Sequence, residues 1–194
     1  WDDDLADAVF APNMDLDEPR ERRHAQLAAA AERVGPAVPD GDDPPTSDSP
    51  SHVRWWLRGE RGRLRVGLLA SAEVPPRIQA LQVLAVPDPT PALAAVAERV
   101  VALLADEAPR WPADLATAAD VDVGALERGL WAARLLLGSA RLGRPVGGDG
   151  DLVLTAEVDG ELGRGELRLE LDASGAVRRA LVVRGPLAVP PGGV

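Results

Sequence analysis

Two imidazoles, His24 and His52, are all the histidine that a chain of 194 residues offers, and cysteine is absent. A hydrolytic triad would need one of them beside a serine and a carboxylate. No Gly-x-Ser-x-Gly elbow presents such a serine, and Leu137-Gly138-Ser139-Ala140-Arg141 lacks the second glycine. His24 lies among Arg22, Arg23 and Gln26 and reads as a solvated helix position, while His52 opens a strand beside a loop. The absence of cysteine removes disulfides, thiolate metal sites and a cysteine nucleophile. Lysine is absent too, so all 21 basic side chains other than histidine are arginine. That removes a P-loop lysine, a Schiff-base lysine and the Ser-x-x-Lys pair of penicillin-binding enzymes. Together with abundant Ala, Gly and Pro it has the look of a high-GC genome, a bias without functional content.

Two acidic stretches invite a metal reading. Asp2, Asp3, Asp4 and Asp7 could attract a hard cation, but acids in a first helical turn ordinarily complement the helix dipole. Gly147-Gly148-Asp149-Gly150-Asp151-Leu152-Val153-Leu154 resembles one turn of a calcium-binding nonapeptide repeat, a fold that needs several stacked copies. It reads instead as a loop entering a strand. Glu60 and Glu161 would be general bases only beside a pocket, and both fall in hairpin turns. The sequence therefore assigns no catalytic, cofactor-binding or metal-binding residue.

The tryptophan pair Trp55-Trp56 is different. Consecutive strand residues point to opposite faces, so with Trp55 in the core Trp56 faces outward between Arg54 and Arg58. Arg63 and Arg65 come from the next strand. Aromatic and arginine side chains together are favoured at binding hot spots, which makes Arg54, Trp56, Arg58, Arg63 and Arg65 the candidate partner-binding set. Three occupants of that face remain open: the chain's own loop or other half, a partner protein or missing domain, and a small ligand.

The charge distribution frames the choice. The net charge is -10, which argues against a phosphate-binding surface and hence against nucleic acid. Residues 1–50 hold 13 acids and 4 arginines, whereas residues 51–77 hold 2 acids and 6 arginines. One hairpin is a basic island that meets either an acidic partner or the acidic N-terminal stretch of its own chain. No apolar run reaches the roughly 20 residues of a membrane helix, and Pro91–Ala105 is broken by Glu98 and Arg99. The chain begins at Trp1 without a signal pattern and reads as part of a longer protein.

The elements that would position these residues come in two sets. His52–Ala70 and Leu152–Leu171 share a plan: alternating strand, Gly-Glu-x-Gly-Arg turn, alternating strand. Upstream, an alanine-rich helix ends at Val34-Gly35, and Val123–Leu137 precedes Gly138; aligning Asp15-Leu16-Asp17 with Asp120-Val121-Asp122 sets Arg23 opposite Arg128. Each set has an earlier helix, at 2–10 and 91–107. The expectation is an α+β chain of two tandem helix-helix-meander repeats, residues 1–89 and 90–194, with antiparallel sheets and helices on one face of each. Asp15 and Asp17 would cap a helix whose first turn holds Pro19. Leu126, Leu130, Trp131, Leu135 and Leu137 form the stripe that a sheet should cover. The third strands, 77–86 and 177–184, are apolar on both faces and read as central or as lining a junction. The proline-rich stretch 39–51 reads as a mobile loop without structure, and Pro186–Val194 as an unanchored tail.

Residues 1–23 together with the Gly59–Val66 hairpin resemble accessory regions flanking the catalytic domain in actinobacterial serine hydrolases of the beta-lactamase-like group. The helix-plus-meander units are also similar to cystatin-like and steroid-isomerase-like folds. The resemblance implies a non-catalytic module attached to a hydrolase domain, outside its active site, and carries over no catalytic residue. The partner expected is then an enzyme domain of the same polypeptide or another protein, with no cofactor, nucleic acid or membrane involved. The alternative is a small-molecule-binding or isomerase-like domain with an enclosed pocket and a buried carboxylate; a third is a structural unit that oligomerises through its third strands.

Overall fold

The Gly-Glu-x-Gly turns owe their composition to a helix end. In the computed structural model, which describes residues 2–184, helix α3 (Arg20–Val34) ends at Gly35 with φ +80°, and a later helix, Val123–Leu137, ends at Gly138 with φ +74°. With ψ at -176° and -159°, this positive-φ, extended conformation is open essentially to glycine alone. The freed carbonyl at each end accepts a turn N–H: Val34 O from Arg61 at 2.9 Å, and Leu137 O from Leu162 at 2.8 Å. The turn glycine beneath must be bare. A Cβ on Gly59 would stand 2.5 Å from Val34 O, and one on Gly160 2.3 Å from Leu137 O. Glu60 and Glu161 lie against Gly35 and Gly138, and Glu161 Oε2 accepts the Ser139 N–H at 3.1 Å. The glutamates thus serve turn geometry.

The chain is α+β and divides into two compact units between Asp88 and Pro89. The first contains α1 (Asp3–Val9), α2 (Asn13–Asp17), α3, β1 (Ala37–Pro39), β2 (Thr46–Ser49), β3 (His52–Gly59), β4 (Gly62–Ala70) and β5 (Ile78–Pro87). The second contains α4 (Pro91–Ala102), which runs into a 3-10 turn, then α5 (Val123–Leu137), β6 (Ala140–Gly148), β7 (Val153–Gly160), β8 (Gly163–Leu171) and β9 (Val177–Arg184). Both sheets are antiparallel, in the orders β1-β3-β4-β5, with β2 also on β3, and β6-β7-β8-β9. Buried Ala30 and Val34 of α3 pack on Leu64, Val66 and Ala85; Leu130, Ala133 and Leu137 of α5 share a core with Leu154, Leu167 and Leu169. A fully buried aliphatic side chain such as Val34 or Leu137 contributes on the order of 1.5–3 kcal/mol.

Several expectations are corrected. The segments read as loops before each meander form β1, β2 and β6, so the sheets have more than three strands. Residues 39–51 are not structureless: Pro39 pairs with Leu57, and Thr46 with Arg54. β6 is an edge strand, where Gly143, Pro145, Gly147 and Gly148 are tolerated at the cost of irregular register. The third strands β5 and β9 are terminal in their sheets, not central. Each has an isolated parallel bridge at its start, Phe10 with Ile78 and Thr117 with Val177.

On α5 the buried residues are Leu126, Leu130, Ala133 and Leu137, while Trp131 is 52% and Leu135 58% exposed. The stripe advances by four, three and four residues; Trp131 lies about 100° around the helix from its nearest member and Leu135 close to the opposite side. Matching the helix ends Gly35 and Gly138 also moves the alignment by two, which sets buried Arg23 opposite buried Leu126 rather than Arg128. Arg23 compensates its burial by donating to Asp15, to Glu18 O at 3.0 Å and to Met14 O, and stands 5.4 Å from the Phe10 ring. Asp15 therefore does not cap α3; it binds Arg20 and Arg23, and Pro19 precedes the helix without a side-chain cap. The Asp2–Asp7 run is likewise occupied. Asp2 Oδ1 caps α1 through Leu5 N–H at 3.0 Å, and the Arg20 guanidinium fills the space among Asp3, Asp7 and Asp15 where a cation would have sat. At the other proposed metal stretch, Asp149 Oδ1 accepts the N–H groups of Asp151, Leu152 and Val153. The segment Pro186–Val194 lies outside the described residues.

Two measurements check this account. Gly59→Ala and Gly160→Ala should each lower stability by about 1–3 kcal/mol through overpacking. Gly129→Ala, on α5 with nothing within 4 Å of its Cβ, should raise it by about 0.5–1 kcal/mol; urea denaturation midpoints separate the two behaviours. The second concerns Asp172, whose carboxyl is held below its ordinary range first by the Ser174 hydroxyl, at 2.6 Å, and then by the N–H groups of Ala176 and Ser174. A depressed folded value adds stability that is complete above the ordinary carboxylate range and disappears as pH falls through the folded value. The stability difference between wild type and Asp172→Asn should therefore shrink as the pH is lowered from 6 to about 2.

Candidate interaction surface

Alternation along β3 settles the tryptophan pair. Trp55 packs with Leu57 against the α3 core, and Trp56 stands on the other face. Antiparallel register then places cross-strand neighbours in rows on that outer face. One row runs Trp56, Arg65, Leu84; the next runs Arg54, Gly67, Gln82; on the other side lies Arg58, Arg63, Val86. All five candidate residues are thus brought onto one face of one sheet. Leu69 of β4 and Gln82 and Leu84 of β5 complete it; the β5 pair escaped the sequence reading because that strand is apolar on both sides.

The electrostatics of the face are set by acids from outside β3, β4 and β5, which carry none themselves. After β1 the chain arches over the face. Asp40 N–H donates to Trp56 O at 3.0 Å, and Asp43 N–H to Asp40 O at 3.3 Å. The arch delivers two carboxylates to Arg63: Nε donates to Asp40 Oδ2 at 2.8 Å and Nη2 to Asp43 Oδ2 at 2.6 Å. The guanidinium carbon sits 4.2 Å from the Trp56 ring centroid, within cation-aromatic range. The Arg63 side chain is only 6% exposed, and its Nη1 is buried without a hydrogen-bond partner. Arg54 pairs with Asp48. Arg58 binds Asp88 through both terminal nitrogens, at 2.9 and 2.8 Å, and that pairing raises its already high pKa. Arg65 alone is exposed and has no hydrogen-bonding or ion-pair partner among the described residues.

The candidate set therefore changes in character. Arg63 is covered in this structure, its charge met inside the chain by Asp40 and Asp43. Arg54 and Arg58 are half-exposed but paired. Trp56 is half-buried under Arg63, and Arg65 is open. The basic island meets acids of its own N-terminal stretch, Asp40, Asp43 and Asp48.

Among the described residues the groups capable of reactive chemistry are not assembled in a comparable way. His52 Nδ1 lies 3.4 Å from Asp48 Oδ2, yet no serine hydroxyl hydrogen-bonds that imidazole; the Ser47 hydroxyl donates to backbone carbonyls, and Ser49 meets Ser51. His24 is exposed on α3. A groove of about 440 Å³ is lined by Ser49, His52, Gly67, Leu69 and Gln82, among others, without a carboxylate. Among the described residues the buried polar side chains are Arg23, Arg63 and Ser71, none of them acidic. No helix of the described residues is long and apolar enough to cross a membrane. No protein-family model, curated protein or solved structure matches the chain.

Removing one side of a buried ion pair is costly because the other side stays buried. Arg63→Ala should lower the unfolding free energy by about 3 kcal/mol, and Arg63→Met, which keeps the stem over Trp56, by less. Chemical denaturation of both variants gives the comparison.

Proposed function

We propose that this chain is a non-catalytic interaction module that docks an enzyme domain of the hydrolase class, carried by the same polypeptide or by another protein. Its two units descend from one ancestral unit by tandem duplication. The observation that carries the docking reading is the row Trp56–Arg65–Leu84. It sets a tryptophan, an unpaired arginine and a leucine 42% exposed side by side on a sheet face. Tryptophan and arginine supply much of the energy of protein interfaces, where desolvation strengthens their contacts. Trp131, Leu135 and Leu162, exposed by 52%, 58% and 63%, add apolar surface on the second unit of the kind that partners cover.

The duplication is supported by details that no general folding preference requires twice. Each unit has a helix terminus with a positive-φ glycine, a bare turn glycine beneath the last helical carbonyl, a glutamate against the terminus, and a parallel bridge at the start of its last strand. The association with a hydrolase rests on the resemblance of residues 1–23 and of the first hairpin.

A photo-crosslinking residue at position 65, in the chain expressed in its own host, tests the proposal. The expected outcome is one dominant adduct whose peptide map contains a hydrolase domain. The Trp56→Ala/Arg65→Ala pair should reduce association with that domain at least tenfold while circular dichroism stays unchanged. Adducts confined to the chain itself, or to proteins without an enzyme domain, would sink the proposal.

A further inference from the structure

The arch and its flanking strands present an acidic, extended, proline-containing segment to the face just described. Residues 39–50 contain Asp40, Asp42, Asp43 and Asp48 and no basic residue, and three of those aspartates bind Arg63 and Arg54. We propose that this strap is an internal pseudo-ligand: the outer face of the first sheet recognises an acidic extended peptide of a partner protein, and the strap occupies the place until that peptide displaces it. The inference rests on the docking reading above and names the chemistry of what docks.

Four observations carry it. First, the strap is attached in the way an added strand would be, by short backbone pairing along the β3 edge, through Pro39 at the end of β1 and the four residues of β2, with the register broken between Ser47 and Ser49. Strand addition with side-chain pockets on alternate positions is a common mode of peptide recognition. Second, its hold is incomplete. The buried Arg63 Nη1 has no partner, although a guanidinium offers five donors, so a carboxylate better placed than Asp40 and Asp43 gains a hydrogen bond the strap leaves unmade. Third, Arg65 stands unpaired one strand from Trp56, beside exposed Leu84 and Gln82. A longer acidic segment finds there a cation and an apolar contact that the strap does not reach. Fourth, the outermost latch is weak by its exposure: Arg54 and Asp48 are 48% and 61% exposed, and pairs so solvated add little. Displacement can start there and proceed toward Arg63.

A tethered occupant competes at an effective concentration on the order of millimolar, so the intact chain masks its own site. The probe is a labelled peptide of the strap's own sequence, PDGDDPPTSDSP, with an all-Asn counterpart as control. It is titrated into wild-type protein, Asp48→Asn, and Asp40→Asn/Asp43→Asn/Asp48→Asn. The triple variant should bind the acidic peptide at least tenfold more tightly than wild type and the Asn peptide at least tenfold more weakly than the acidic one. Amide shifts should centre on Arg54, Trp56 and Arg63, the residues that the strap itself covers. Neutralising Asp40 and Asp43 leaves Arg63 buried without countercharge, so that variant can lose its fold. Asp48→Asn keeps the Arg63 pairs, and it should bind the peptide at least threefold more tightly than wild type.

Equal affinity across the proteins, or equal affinity for the two peptides, overturns the proposal. So does a duplex oligonucleotide of matched charge that binds as tightly as the peptide. The two proposals fail separately. Peptide binding without any enzyme adduct sinks the docking to a hydrolase and leaves the strap standing, whereas an adduct whose yield ignores the strap variants sinks the strap alone.

Discussion

The hydrogen bond from the hairpin turn to the last carbonyl of the helix is the constraint from which the rest of each unit follows. Arg61 N–H to Val34 O and Leu162 N–H to Leu137 O lock a helix end onto a sheet corner with no space for a Cβ between them. Once the corner is fixed, the register of the flanking strands is fixed, because a slip of one residue would turn every side chain to the opposite face. In the first unit such a slip would bury Trp56 and expose Trp55. The outward presentation of Trp56 is therefore decided at the other end of its strand, by the fit of Gly59 beneath α3.

The two units use that common corner to support different surfaces. On the outer face of the second sheet charges of both signs alternate and neutralise one another locally: Arg144 with Glu157, Arg164 with Asp159, Arg168 with Glu166. Such a face is content in water. The first sheet has four arginines on β3 and β4 and no acid on β3, β4 or β5, so its neutralising charge must come from the strap and from Asp88. The same contrast appears on the helices, where the position filled by Leu126 in the larger core is filled by Arg23 in the smaller one. A polar residue at a core position must bring its acceptors with it, and α2 supplies them through Met14 O and Asp15.

What could be read from the sequence is what depends on local period. β3, β4, β7 and β8 are visible by alternation, their turns by glycine and glutamate, and the five candidate residues fall on one face by the same arithmetic. β1, β2 and β6 are edge strands, and an edge tolerates Pro39, Pro145 and a run of glycines that read as loop. Composition does not set the phase of α5, because Trp131 and Leu135 are as apolar as the buried Leu130 and Leu137, and only packing decides which of them the sheet covers. The acids that hold Arg63 were visible as composition but not as partners. Asp40 and Asp43 lie 23 and 20 positions away along the chain, and no periodic signal links them to β4.

That pairing is also the least economical feature of the fold. A buried ion pair loses hydration on both sides, and its attraction often does no better than an apolar group of the same volume would. Here the loss is larger, because one nitrogen of the guanidinium is left without an acceptor. The neighbouring Val86 and Trp56 would accommodate a methionine or leucine at position 63, as Leu64 and Val66 are accommodated on the other face. Stability alone thus gives no reason for an arginine at this place with two aspartates arched over it. A contact that must be made and unmade does give one, since opposite charges find each other at a distance, enforce one register, and release into water at a cost that apolar packing would not allow to be so local.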